Sequence, residues 1–404
     1  VSMVPLTVRS HYSLMWGTAS VGRLVRAARR MGYTRLALTD TDNLYGLWPF
    51  LAACRREGLT PIVGVEVTDP GGRDRAVCLV ADMAGYANLC RLLTARHMAA
   101  DFVLRTALPQ RAEGLVVLTG APDLLTAWHA AGVRVAAAMP RWPLAARHPL
   151  RRAAERRGLP VVATPGSFFV DPAEHRVHRL LRAIDGKTSL ARLPAVQVAP
   201  SEAWLAPPEV YRQRFAVCPE ALAATEALAD ALTFSGPAFG LVMPPWPAGD
   251  PAAELRRAAY GGARRRYGRE LPGSVVERLE QELGVIIEMG FAAYFLVVRD
   301  IVRSRSRTCG RGSGAASLVA YCLNITNVCP LKHNLYFERF LNPGRRDAPD
   351  IDVDFAWDER DAVQQTVLAT YGDHAAMVCN HIRFQPRMAV RETARVYGLT
   401  EGEI

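Results

Sequence analysis

Pro349-Asp-Ile-Asp-Val-Asp-Phe355 is the stretch on which the reading of this 404-residue chain turns. Asp350, Asp352 and Asp354 alternate with Ile351, Val353 and Phe355. Successive side chains of a β-strand point to opposite faces, so the three carboxylates share one face and the three apolar groups the other. Aspartate is a poor strand former, and parallel carboxylates repel each other unless a cation lies between them. Paired aspartates on one strand supply the hard oxygen ligands with which two-metal phosphoryl-transfer sites hold Mg²⁺. The competing interpretation is an exposed strand edge with a solvated acidic face.

Some 40 residues upstream runs Gly310-Arg-Gly-Ser-Gly-Ala-Ala-Ser-Leu-Val-Ala-Tyr-Cys-Leu323. Gly310, Gly312, Ser313 and Gly314 precede an apolar helical pattern through Leu318, Val319 and Cys322. A glycine-rich turn entering a helix N-terminus presents unpaired N–H groups and a positive dipole end, which suits a phosphate chain. Arg311 and the Ser313 hydroxyl add a charge-assisted and a neutral hydrogen bond. No Gly-Lys-Ser/Thr follows, so this is not a Walker A loop. Ahead of an acidic strand it reads as a triphosphate cradle.

The length implies two or three domains. Half of the residues are hydrophobic and no run of 18 apolar residues occurs, so globular domains with no membrane partner are expected. The N-terminus lacks a signal-peptide pattern. Eight cysteines are scattered without CxxC pairs, which reads as reduced thiols in the cytoplasm. The net charge of +10 favours polyanionic partners. Lys187 and Lys332 are the sole lysines, so arginine, the better phosphate fork, carries nearly all of it.

Residues 1–200 alternate β-rich runs with helical patterns. Strands are expected at Leu6–Val8, Leu36–Thr39, Pro61–Val67, Ala76–Ala81, Gly114–Leu118, Val133–Ala137 and Pro160–Thr164. Leu24, Val25, Ala28 and Met31 share one face of a helix over Val21–Met31. Seven such repeats point to a parallel sheet closed as an α/β barrel, whose functional positions follow the strands. Residues 201–250 are Pro/Ala-rich and read as a connection. A second domain over 251–404 has helical patterns at Pro251–Tyr267, Ser274–Met289, Tyr294–Arg303, Ala362–Tyr371 and Met388–Tyr397.

Several of these stretches resemble the N-terminal part of the bacterial DNA polymerase III α subunits, the C family of DNA polymerases. They are Met289–Leu296, Gly310–Tyr321, Phe337–Pro343 and Pro349–Phe355, with Leu38–Asp40, Asn43–Gly46 and Pro61–Val67 upstream. Ala376–Arg391, with Met377-Val-Cys-Asn380 and Arg387, is more similar to the error-prone branch. The resemblance implies a PHP-type (β/α)7 barrel followed by a partial polymerase-β-like α+β palm. It implies template-directed nucleotidyl transfer with two Mg²⁺ ions, held by Asp350 and Asp352 as catalytic ligands with Asp354 supporting. Gly310, Arg311, Gly312 and Ser313 match the nucleotide-phosphate loop, and Arg339 is either a phosphate contact or an internal salt bridge. Primer-template DNA and a dNTP are the implied partners, with other polymerase or clamp subunits.

Two departures from the family pattern stand out. The third catalytic aspartate is expected downstream of Ile404, so the 404 residues alone are expected to be inactive. The PHP metal positions are degenerate: Thr7, Arg9 and Trp16 replace the first motif, Thr41 follows Asp40, Ala76 replaces a histidine, and Gly166 and Phe168 replace an acid and an imidazole. Of the ligands only Glu66 remains. Arginine in that pocket repels cations and donates no lone pair, so no PHP-site metal and no phosphoesterase activity are expected. His11, shifted two positions on the same strand face, is the one route to a rescued site. A non-catalytic DNA- or polymerase-binding module and a stand-alone metal phosphoesterase are the alternatives. His175 and His178 read as packing residues. The arginines at 299–311 and 345–346 read as DNA or nucleotide contacts, and those at 141–157 as a solvated helical face.

Overall fold

Short apolar runs rich in β-branched residues form one six-stranded sheet in the first part of the chain. The structure is a computed structural model that describes residues 3–146, 148–240, 242–303, 307–344 and 349–404. Its chain divides into two compact units, Val1–Ala238 with Arg383–Ile404, and Phe239–Ile382.

In the first unit the order is α1 (Val21–Arg30), β1 (Arg35–Thr41), α2 (Leu47–Glu57), β2 (Thr60–Thr68), β3 (Arg75–Val80), α3 (Met83–Met98), α4 (Leu104–Ala107), β4 (Leu115–Thr119), α5 (Pro122–Ala130), β5 (Val135–Met139), α6 (Pro149–Glu155), β6 (Val161–Ala163), α7 (His175–Asp185), α8 (Pro208–Arg214) and α9 (Pro219–Asp230). The strands lie in sequence order across the sheet. Their interior residues are buried, as strands covered on both faces require.

The sheet differs from an all-parallel barrel at one strand. β3 runs antiparallel to both β2 and β4, while β1–β2, β4–β5 and β5–β6 are parallel. Asp69-Pro-Gly-Gly-Arg-Asp74 is too short for a crossover helix. It closes as a turn, with the Asp69 amide donating to the Asp74 carbonyl at 2.9 Å. Leu6–Val8 forms no ladder strand, yet it lies where the seventh strand was expected. The Thr39 amide donates to the Val8 carbonyl at 2.8 Å, and the Arg9 amide to the Ser167 carbonyl at 2.9 Å. The segment therefore links β1 to the chain just past β6.

Residues 201–250, expected as a connection, carry α8 and α9. Tyr211, Phe215, Leu222 and Leu228 are buried in the first unit's core clusters, so apolar spacing outweighs the Pro/Ala composition there.

His178 of α7 is fully buried. The Ala199 amide donates to its Nε2 at 2.9 Å, which leaves Nδ1 as the donor to the Trp16 carbonyl at 2.7 Å. Burial holds the imidazole down at about 4, against 6.5 for the free side chain. A depressed histidine stabilises the fold at pH above 6.5 and loses that stability as pH falls toward 4. Acidification from pH 7 to 5 is expected to cost about 2 kcal/mol through this residue alone. Denaturant unfolding of the wild type and His178→Asn at both pH values measures it; the variant's pH slope is expected to be shallower.

In the second unit helices α10 (Pro251–Tyr267), α11 (Gly273–Glu288), α12 (Ala292–Arg303), α13 (Leu318–Cys322) and α14 (Arg360–Tyr371) accompany the antiparallel pair β7 (Thr308–Arg311) and β8 (Asp352–Phe355). Leu255, Leu279, Leu283, Phe295, Leu318 and Phe340 are fully buried in one cluster. The last helix, α15 (Pro386–Val396), belongs to the first unit, where the Leu190 amide donates to the Val396 carbonyl at 3.1 Å.

Candidate functional site

The strand pair β7–β8 brings the glycine loop and the acidic run together. Arg311 stands opposite Asp352, Gly310 opposite Val353 and Cys309 opposite Asp354. Gly312 follows with φ +68, in the left-handed region, and a Cβ built there would lie 3.2 Å from Asp352 Oδ2. The bare glycine keeps the Asp352 carboxylate open beside the loop. Gly310 is needed for another reason: its Cβ would stand 2.3 Å from the Ile325 carbonyl oxygen, so β7 sits hard against that backbone.

Asp350 and Asp352 act on one group. The Tyr294 hydroxyl accepts the Ile351 amide at 3.3 Å. Burial and then the charges of Asp350 and Asp352 push its pKa up. Asp354 is drawn aside, accepting from Arg311 Nε at 3.1 Å, with both side chains about 60% exposed. Arg311, Gly312 and Ser313 are exposed. The donor oxygens suit magnesium in kind. Among the described residues no three His, Cys, Asp or Glu side chains gather as a metal site. Arg339 lies exposed in the turn Phe337–Arg339 and makes no ion pair among the described residues, so an internal salt bridge is not seen there.

Behind the loop, α13 is held by a residue the sequence reading missed. Glu282 is fully buried, and its carboxylate accepts from the Leu318 amide at 2.9 Å, the Val319 amide at 3.0 Å, Ser317 Oγ at 2.8 Å and Arg278 Nε at 2.7 Å. Burial pushes this carboxyl up, against the pull of those donors. Arg278 also donates to the Ala316 carbonyl at 3.2 Å, gripping the end of the loop. The signal was present: Val275, Leu279, Glu282, Leu283 and Ile286 form one helical face with an acid in its middle.

Of the arginines at 299–311, read as DNA or nucleotide contacts, Arg299 departs from that role. Arg299 is mostly buried, pairs with Glu254 at 3.0 Å and Asp300 at 2.8 Å, and stands over Trp246. Arg307 pairs with Asp358. The Arg299 guanidinium braces the second unit, whereas Arg307 stays mostly exposed. Arg345 and Arg346 lie outside the described residues.

The degenerate barrel positions do converge. Arg9 reaches Glu66 with Nε at 3.2 Å and Nη2 at 2.6 Å, both side chains buried. Burial drives Glu66 up, but Arg9 and Arg75 outweigh it and hold the carboxyl below its usual range. Thr41 Oγ1 donates to Glu66 at 3.2 Å, the Gly166 amide donates to Thr7 Oγ1 at 3.0 Å, and the Arg9 guanidinium stacks 4.4 Å from the Phe168 ring centre. Trp16 packs between Phe168 and His178 under Arg182, and Ala76 is buried. Asp40 accepts from the Ser10 amide, Ser10 Oγ and Ser13 Oγ, each at 2.7 Å; burial raises its pKa. His11 stacks on Tyr12.

Residues 253–404 match the family described as bacterial DNA polymerase III alpha NTPase domain, and residues 5–134 match the PHP domain. Error-prone DNA polymerases of Symbiobacterium thermophilum and Mycobacterium tuberculosis are 35% identical over all of this chain, covering 42% and 41% of their own length. The DNA polymerase III subunit alpha of Bacillus subtilis is 31% identical over all of the chain and 39% of its length. The chain is a relative of the bacterial DNA polymerase III α subunits. It spans about two fifths of the length of these polymerases. The PHP match spans β1 to β4 of the six-stranded sheet, and the polymerase match covers both the Gly310 loop and the acidic strand. Among the described residues no helix is long and apolar enough to cross a membrane, and the eight cysteines are free.

Proposed function

We propose that this chain is the N-terminal part of an error-prone-type DNA polymerase, acting in replication and translesion repair in the cytoplasm on primer-template DNA and a dNTP. The observation that carries the reading is the β7–β8 register, in which Asp352 stands beside the loop that begins at Gly312. Asp350 and Asp352 would hold Mg²⁺, which supplies activation of the primer 3′-hydroxyl and charge neutralisation on the triphosphate. Arg311, the Ser313 hydroxyl and the loop amides orient the phosphates, with Arg339 as a further cation. Tyr294 steadies the spacing of the two carboxylates through the Ile351 amide. In such a polymerase a completing carboxylate, and any clamp or polymerase-subunit contacts, would come from other parts of the enzyme.

The test is primer extension by a polymerase polypeptide that contains this chain in frame, with Mg²⁺ and all four dNTPs. A folded protein that adds no nucleotide would sink the reading. It would leave the second one, a non-catalytic DNA- or polymerase-binding module.

The barrel is proposed to lack phosphoesterase chemistry, because Arg9 fills the pocket and consumes the remaining carboxylate, Glu66. Incubating the purified chain with Mn²⁺ or Zn²⁺ and a phosphodiester is expected to give hydrolysis no faster than buffer. Turnover that disappears in Glu66→Gln would overturn that assignment.

A further inference from the structure

Helix α7 ends on a lysine where the backbone favours glycine. Lys187 has φ +47, in the left-handed region. Its amide donates to the Ile184 carbonyl at 3.1 Å and the Thr188 amide to the Ala183 carbonyl at 3.0 Å, which closes the helix as a Schellman turn. A Cβ at that point is strained, so glycine is the usual residue there. Lys187 is one of only two lysines in an arginine-rich chain, and it is exposed, so packing does not offset the strain. A helix C-terminus favours a cation, but Arg182 already supplies one in the last turn. Strain of this kind, kept without a packing return, points to use of the side chain.

Lys187 borders a cavity of about 620 Å³ between α7, the segment that follows it and α15, all within the first unit. Ala183, Ile184 and Val396 give it an apolar floor, and Thr188, Ser189 and Arg192 join Lys187 on its wall. The Leu190 amide, bonded to the Val396 carbonyl, ties the two walls together. Glu392 and Arg395 also line the cavity but answer each other at 2.9 Å, and Arg395 pairs with Glu401 as well. Among the described residues Lys187 and Arg192 form no ion pair, and both are open to solvent. The cavity has the size of a small-molecule site and is far larger than a bare inorganic ion requires. An ammonium, a guanidinium and two hydroxyls match a dianion with several acceptor oxygens. A phosphomonoester is such a group at neutral pH, whereas a carboxylate or a phosphodiester carries a single charge.

We propose that the cavity between α7 and α15 binds a small phosphomonoester. Lys187, Arg192 and the Thr188 and Ser189 hydroxyls hold its phosphate, and its organic body lies on Ala183, Ile184 and Val396. No bond is made or broken there. The site shares no residue with the Gly310 loop or the acidic strand, so it is independent of the polymerase reading.

Titration calorimetry of the full chain tests it with adenosine 5′-monophosphate, glucose 6-phosphate, the 3′,5′-cyclic monophosphate of adenosine, and adenosine, at matched ionic strength. Saturable binding of at least one phosphomonoester is expected, about tenfold or more tighter than the cyclic diester and absent for adenosine. Whichever phosphomonoester binds more tightly names the organic body as nucleoside or sugar. Arg192→Gln and Lys187→Gly should each weaken that binding about tenfold or more. Should Arg192→Gln fail to fold, Lys187→Gly decides, because it relieves the left-handed strain and its melting temperature is expected to be unchanged or higher. A lysine that served only the helix end would not couple retained stability to lost binding. Absence of saturable phosphomonoester binding in the wild type, equal affinity for the cyclic diester, or undiminished binding in the folded variants overturns the site.

Discussion

Asp352→Asn is expected to lower kcat/KM for nucleotide incorporation about a thousandfold or more in the polymerase that contains this chain. Charge stabilisation by a bound metal ion is worth several kcal/mol, and each 1.4 kcal/mol is a factor of ten. The substitution keeps shape and volume but removes the charge from the oxygen that faces Gly312. Folding should be unaffected, because the side chain is only partly buried and a mutually repelling carboxylate is lost. The counterpart Asp354→Asn separates the roles. Its carboxylate is exposed and tied to Arg311, so a loss of less than about tenfold is expected. In the chain alone, calorimetric Mn²⁺ binding should follow the same order. Equal effects at 352 and 354 would remove the case for a paired site at 350 and 352.

Glu282→Ala is expected to destabilise the second unit by about 3 to 5 kcal/mol, read as a lowered urea midpoint at unchanged slope. The carboxylate answers two backbone amides, a hydroxyl and a guanidinium in a water-free interior. Its removal leaves each of them buried and unsatisfied. Glu282→Gln retains one acceptor oxygen and should lose less. Because the same residue fixes the start of α13, nucleotide binding at the Gly310 loop should weaken along with stability. A neutral result in Glu282→Ala would mean that water replaces the carboxylate and that the loop is held elsewhere.

Much of the architecture was legible because period and punctuation agreed. Val21–Met31, Pro251–Tyr267 and the strand positions from Leu36 to Thr164 all rest on apolar spacing, and each lies within a few residues of an observed element. The reversal of β3 was not read, although Asp69-Pro-Gly-Gly-Arg-Asp74 announces a turn too tight for a crossover. Composition misled at 201–250, where proline and alanine suggested a connection but α8 and α9 supply core. The acidic strand and glycine loop were found by local pattern, while their pairing depends on contacts 40 residues apart. Glu282 and Tyr294 matter through partners distant in sequence, which no local pattern reveals. The convergence of Arg9 on Glu66 was foreseeable only as a loss of ligands; the bidentate replacement required the fold.

That replacement has a practical corollary. A cation tethered to its own backbone cannot be stripped by a chelator, swapped for a competing ion or diluted away during dialysis. On the reading proposed above, the charge balance around Glu66 is set by Arg9, and the geometry of this corner of the barrel is expected to be the same with transition metals added or chelated.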